Sequence, residues 1–131
     1  MAFARCFDRL LPGGALKTLK QAEDYFDFRI KVIQTDNGPE FSKWFTHMAE
    51  SGTVEGGRRI HRRTRIHRPN DNAHIERFNR TLREECIGKH MSCNDSLEDI
   101  NWDLLCFLDY YNEERLHLGL QCRTPRSMLQ R

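Results

Sequence analysis

Residues 30–41 read Ile-Lys-Val-Ile-Gln-Thr-Asp-Asn-Gly-Pro-Glu-Phe, and the change of character within them decides the fold class. Ile30, Val32 and Ile33 form a short β-favouring run, which predicts a buried strand ending at Asp36. Asn37, Gly38 and Pro39 then force a turn, combining an Asx side chain, a residue without Cβ and a fixed φ. Directly after it, Phe41, Trp44, Phe45 and Met48 fall at helical spacing and predict a helix from Phe41 to Glu50. Strand, tight turn and helix in that order begin an α/β unit.

The flanks extend this reading. Upstream, Leu16, Leu19, Ala22, Tyr25 and Phe26 share one face of a helix over 15–28, started by the Pro12-Gly13-Gly14 break. Downstream, Ser51-Gly52 and Gly56-Gly57 mark loops, and Arg59 to Ile66 holds at best a weak strand, since six of its eight residues are polar. Asn70, Asp71 and Asn72 offer N-cap residues for a helix reaching about Cys86, with Ile75, Phe78 and Leu82 on its apolar stripe. After a loop over 88–94, Ser96 opens a longer helix whose apolar side carries Leu97, Ile100, Leu104, Phe107, Leu108 and Tyr111. Thr124-Pro125 closes the pattern. The sum is a small α/β fold, helix-rich, in 131 residues, the length of one domain.

Composition excludes several classes. Thirteen aromatic residues argue against general disorder. No apolar run approaches the ~20 residues needed to cross a bilayer, so no membrane association is expected. The start, MAFARCFDRLLPGG, lacks the parts of a signal peptide. Five cysteines, odd in number and never arranged as CxxC, read as free thiols in a reducing cytoplasm. His61, His67 and His74 have no matching cysteine pairs and do not make a zinc site.

The net charge of +2 conceals an asymmetry. Between Arg58 and Lys89 lie ten basic and four acidic residues, nine of the ten cations being arginine. The window carries +6 and the remainder −4. Arginine's planar fork suits phosphate, although such a run can also be a solvated surface without a partner. Two carboxylates flank this chemistry. Asp36 stands where a buried strand emerges, the place at which α/β sheets collect ligands. Glu76 stands early in a helix with Arg80 and Arg83 at i+4 and i+7. Each also has an ordinary structural role, Asp36 as a turn former and Glu76 as a partner for the helix dipole. Together they could hold a divalent cation next to a nucleic-acid phosphate.

The strings VIQTDNGPEF, NDNAHIERFNRTLREE and FLDYYNEERLHLGLQCRTPRSML resemble the core domain of DDE transposases and retroviral-type integrases, most nearly those of insertion sequences. The likeness runs from about Ala15 to Leu129. It implies an RNase H-like fold and an acidic triad holding two divalent metals, Mg2+ or Mn2+, for attack on a phosphodiester. Asp36 matches the second aspartate of that triad and Glu76 its glutamate, as catalytic and metal-binding residues. Asn72, Arg77, Asn79, Arg80 and Arg83 fall on the family helix that approaches DNA, and Arg62, Arg63 and Arg65 of the basic window join them as nucleic-acid-binding candidates. The family would use Asn37 and Gly38 to shape the turn after Asp36.

Only 35 residues precede Asp36, and the family's first aspartate has no match among them. Asp8, the sole acid before the first helix, stands in a string unlike the family's first strand. The expectation is therefore a partial RNase H-like fold with the N-terminal sheet strands missing. Residues 1–14 lie outside the match, and 15–131 form the C-terminal part of an integrase catalytic core. Such a chain would hold metal weakly, bind DNA in the cytoplasm near the nucleoid, and form a homo-oligomer or assemble with a fuller transposase. It would be a strand transferase inactive alone, or a non-catalytic DNA-binding remnant. A third reading, an unrelated RNA-binding protein, sits poorly with the TDNGPEF and ERFNRTL strings.

Overall fold

A computed structural model describes residues 1–9, 11–54, 57–65, 72–88 and 95–129. The sequence readings at Gly56, Ile66, His67, Arg68, Asn70, Asp71, Lys89 and Cys93 lie outside these. The chain divides into two compact units: a βαβ unit over Phe7–Glu76, and a helical unit made of Met1–Cys6 with Arg77–Arg131.

In the βαβ unit, helix α1 (Pro12–Phe26) starts with Pro12 in its first turn and stops at Asp27, which adopts the left-handed conformation at φ 59°. The helix thus begins earlier and ends earlier than its periodicity suggested. Strand β1 (Val32–Thr35) leads into a 3-10 turn over Pro39–Phe41, and Ser42 stands at the N-cap of helix α2 (Lys43–Ser51). A short antiparallel hairpin, β2 (Thr53–Val54) with β3 (Gly57–Arg58), fills what the sequence offered only as loop. Strand β4 (Ile60–Arg63) then pairs parallel with β1, from Val32 opposite Ile60 to Thr35 opposite Arg63. The weak polar strand is therefore formed, because a parallel neighbour supplies its ladder.

Ala22, Phe45 and Ala49 make the buried apolar centre of this unit. Two expectations are corrected there. Val32 is exposed rather than buried: Thr35 lies inside and Ile33 is half-buried, whereas Val32 and Gln34 alternate onto the open face of the sheet. Trp44 and Met48 are exposed as well, because α2 turns Phe45 and Ala49, four residues apart, toward the core.

The helical unit begins in helix α3 (Ala73–Leu82), which crosses the division and runs on as a π-helical turn over Arg83–Ile87. Helix α4 (Leu97–Asp109) runs on in the same way as a π-helical turn over Tyr110–Glu114. Ser96 and Asp99 close a reciprocal capping box at the start of α4, with Ser96 Oγ accepting from the Asp99 amide at 3.1 Å. Phe78, Cys86, Leu104 and Leu108 are buried. Ile75 is 52% exposed, so the stripe of α3 keeps Phe78 and Leu82 from the sequence pattern, drops Ile75 and continues to Cys86.

Met1–Cys6 lies along α4 and its extension through side-chain amides. Asn112, wholly buried, accepts from the Ala2 amide and donates to the Ala2 carbonyl, both at 2.8 Å. Asn101 does the same for Cys6 at 2.9 and 3.1 Å. Each side-chain amide matches the backbone donor and acceptor of one residue, as a neighbouring strand would.

Candidate functional site

The parallel pair places the Asp36 turn at its carboxyl end. The Thr64 amide donates to the Thr35 carbonyl at 2.8 Å, carrying the ladder one step beyond β4. Asn37 Nδ2 donates to the Thr64 carbonyl at 3.2 Å, and the Gly38 amide donates to Asp36 Oδ1 at 2.8 Å. Asp36 is thus held in an Asx turn, exposed, with one carboxylate oxygen engaged by its own turn. The Arg63 guanidinium donates to the Phe41 carbonyl and ties the far side of the same turn to β4. Arg62 and Arg65 are exposed beside it.

Beneath the turn sits His61, a structural residue. Thr35 donates its hydroxyl proton to the Asp36 carbonyl at 3.0 Å, so at 2.9 Å it must accept from His61 Nε2. His61 Nδ1 pairs with Thr46 Oγ1, also at 2.9 Å, and the same hydroxyl reaches the Ser42 carbonyl at 3.3 Å, so both ring nitrogens are tied to threonine hydroxyls. Burial, followed by the charge of Arg63, lowers the imidazole below its ordinary range despite the opposing Glu50. The edge contact with Phe45, 5.2 Å between centroids, completes its packing.

Glu76 projects from the first turns of α3, exposed, its carboxylate without a hydrogen bond or ion pair among the described residues. At 100° per residue it lies about 200° from the buried Phe78, with Arg80 and Arg83 within about 40° of it. Glu76 therefore lies on the face of the helix turned away from Phe78. Arg77 and Asn79 flank this acidic-basic line, also exposed, and Arg83 Nε donates back to the Asn79 carbonyl at 3.3 Å. Asn72 is half-buried at the helix start, where its carbonyl accepts from the Glu76 amide at 3.0 Å. Among the described residues no three of His, Cys, Asp and Glu come together as a metal cluster, and Asp8 is exposed.

Two ion pairs escaped the sequence reading. Arg59, counted in the basic window, is 8% exposed. Its guanidinium donates to Glu23, to the Ile30 carbonyl at 2.9 Å and to the Ala49 carbonyl at 3.2 Å. Burial alone would raise the Glu23 carboxyl, but the Ile30 amide, Arg29 and Arg59 outweigh it and hold the group below its usual range. The available signal was Glu23 itself, a charge four residues after Leu19 on the apolar face of α1. The second pair joins Arg115 to Glu85 through two bonds, Nε to Oε2 at 2.9 Å and Nη2 to Oε1 at 2.6 Å.

Residues 59–125, just over half of the chain, match the integrase core domain model. The chain belongs to that family. It is similar to a protein named as an integrase, the ORF3 product of Spiroplasma virus SpV1-C74, at 26% identity over 98% of this chain and 38% of the relative. It is also similar to the uncharacterized 31.7 kDa protein of insertion element IS407 from Burkholderia multivorans, at 28% identity over 72% of this chain and 32% of the relative. The integrase core match contains Glu76, the α3 arginines, Glu85 and Arg115, while Asp36 precedes it. The chain spans about a third of the length of these curated relatives. The described residues include no helix long and apolar enough to cross a membrane.

Proposed function

We propose that this integrase core chain serves DNA integration of the transposase type, by metal-dependent phosphodiester cleavage and strand transfer, with Asp36 and Glu76 as its metal-binding carboxylates. The observation that carries the reading is the exposed line of Glu76, Arg80 and Arg83 on α3, inside the matched segment. It offers a hard anionic ligand next to two phosphate-binding forks. Asp36 supports it as a second exposed carboxylate, at the carboxyl end of parallel strands. Residues 15–131 form the core piece in this reading, with an RNase H-like architecture, and DNA is the partner, in the cytoplasm at the nucleoid.

The donor chemistry suits Mg2+ or Mn2+, which accept one or two carboxylates and keep several waters. Such an ion, when bound, would polarise the scissile phosphate and activate the attacking oxygen. Arg80 and Arg83 would orient the phosphates, with Arg77, Asn79 and Asn72 along α3, and Arg62, Arg63 and Arg65 of the β4 segment are further DNA-contact candidates in this reading. With two carboxylates of this kind on the chain, a second copy or a longer relative would complete the coordination. The test is nicking or joining of DNA that carries terminal inverted repeats, with Mg2+ or Mn2+. Activity that Glu76→Gln abolishes, with DNA binding retained, supports the reading.

A second reading follows from the same donor count: among the described residues no third acid stands with Asp36 or Glu76. The chain would then bind DNA without cutting it. Binding that weakens steeply with salt, together with no nicking at high protein concentration, would favour this reading over the first.

A further inference from the structure

We infer that Arg115 is a positioning residue for the DNA-facing side of α3, acting through Glu85 and Tyr111. This rests on the reading of α3 as the phosphate-facing helix. Arg115 follows the π-helical turn of α4, and its amide donates to the Tyr110 carbonyl at 2.8 Å. Its guanidinium grips Glu85, inside the π-helical turn of α3, through both carboxylate oxygens. It also lies over the Tyr111 ring at 5.6 Å, and Tyr111 meets Phe78 of α3 edge-on at 5.2 Å. Arg115 thus holds the π-helical continuation of α3 directly, through Glu85, and α3 itself through the Tyr111 ring that packs on Phe78.

Two contacts along a helix and its continuation restrict how it is rotated about its axis. Here they point Phe78 and Glu85 inward, and the opposite face carries Glu76, Arg80 and Arg83. A π-helical turn is less stable than the α-helix around it and persists where tertiary contacts hold it. The pair of π-helical turns bridged by Arg115 and Glu85 is such a holding point. Burial raises the Tyr111 hydroxyl above its ordinary range, and the Glu85 hydrogen bond does the same for Arg115, so neither group titrates near neutrality.

The experiment measures binding of a random-sequence duplex oligonucleotide against salt concentration for the full chain. The variants are Arg115→Gln and the milder Glu85→Gln, each alone and in an Arg80→Gln/Arg83→Gln background, below their measured melting temperatures. In the wild-type background both anchor variants should lower the salt slope by about two phosphate contacts, as the arginine double variant does. In the arginine-depleted background they should change it no further. An unchanged slope in the wild-type background overturns the inference, and an equal decrement in both backgrounds assigns Arg115 a phosphate contact of its own and overturns it too. If the double variant itself leaves binding unaltered, the reading of α3 fails before the anchor is tested.

Discussion

Arg59 stands in the most basic stretch of the chain and does not face solvent. Its guanidinium satisfies Glu23 and two carbonyls at once, so it links α1, the entry to β1 and the end of α2. Removing one partner of a buried pair leaves the other charge stranded, which costs more than the pair is worth. Arg59→Met should lower stability by about 3 kcal/mol in urea unfolding. The double variant with Glu23→Leu should recover part of that loss, while a loss no larger than for exposed Arg62→Met would refute the structural role. Gly52 tests the same hub from outside. A Cβ there would stand 2.7 Å from Arg59 Nη1, an atom held by its hydrogen bonds and unable to swing away. Gly52→Ala should therefore destabilise by about 1–3 kcal/mol although Gly52 has an ordinary φ of −68°.

At the scale of elements, much was legible and the misses have causes. The strand-turn-helix of 30–51 and the two long helices follow from periodicity and from Pro, Gly and Asx punctuation, all of which act locally. The pairing of β4 was not legible, since Ile60–Arg63 takes its order from β1, some 28 residues earlier along the register. The faces of α2 and α3 were read in part: Phe45 and Phe78 are buried, whereas Trp44, Met48 and Ile75 stay exposed, because several large apolar residues compete and only tertiary packing chooses among them. The carboxylates of the candidate site were readable from motif, whereas Arg115 and Glu85 were not, being thirty residues apart and joined only by packing. The end of α1 supplies an element-scale prediction. Asp27 holds φ at 59°, where an L-residue is strained and glycine is not. Asp27→Gly should stabilise by about 0.5–1 kcal/mol, read as a higher urea midpoint at unchanged slope. A lower midpoint would show that Asp27 contributes more than its backbone shape.

On the scale of the whole molecule, the described shifts of the βαβ unit run one way, whereas those of the helical unit run both ways, Asp99 being lowered there by its hydrogen bonds to Ser96. In the βαβ unit the described shifts, at His61 and Glu23, are both downward. A group whose folded pKa is lowered binds its proton more readily when unfolded, so stability is present above the unfolded pKa and is lost as pH falls. Loss should start near pH 6.5 through His61 and deepen below about 4.5 through Glu23. In the helical unit burial, aided by the charge of Asp103, raises Cys86, and burial raises Tyr111. Those groups favour the neutral form when folded, so that unit weakens as pH climbs through 9 and 10. The Met1 amino group, lowered by burial, draws on the helical unit in the window just below pH 8, which separates its effect from the alkaline one. Trp44 belongs to the first unit and Trp102 to the second, so single-tryptophan variants report each in turn. The urea midpoint read at Trp44 should fall between pH 6.5 and 4 and hold above pH 8. The midpoint read at Trp102 should fall between pH 8.5 and 10.5, and Cys86→Ala should blunt that fall. A Trp44 midpoint that falls together with that of Trp102 above pH 8.5 would show that the units unfold as one, and the assignment of separate liabilities would then be wrong.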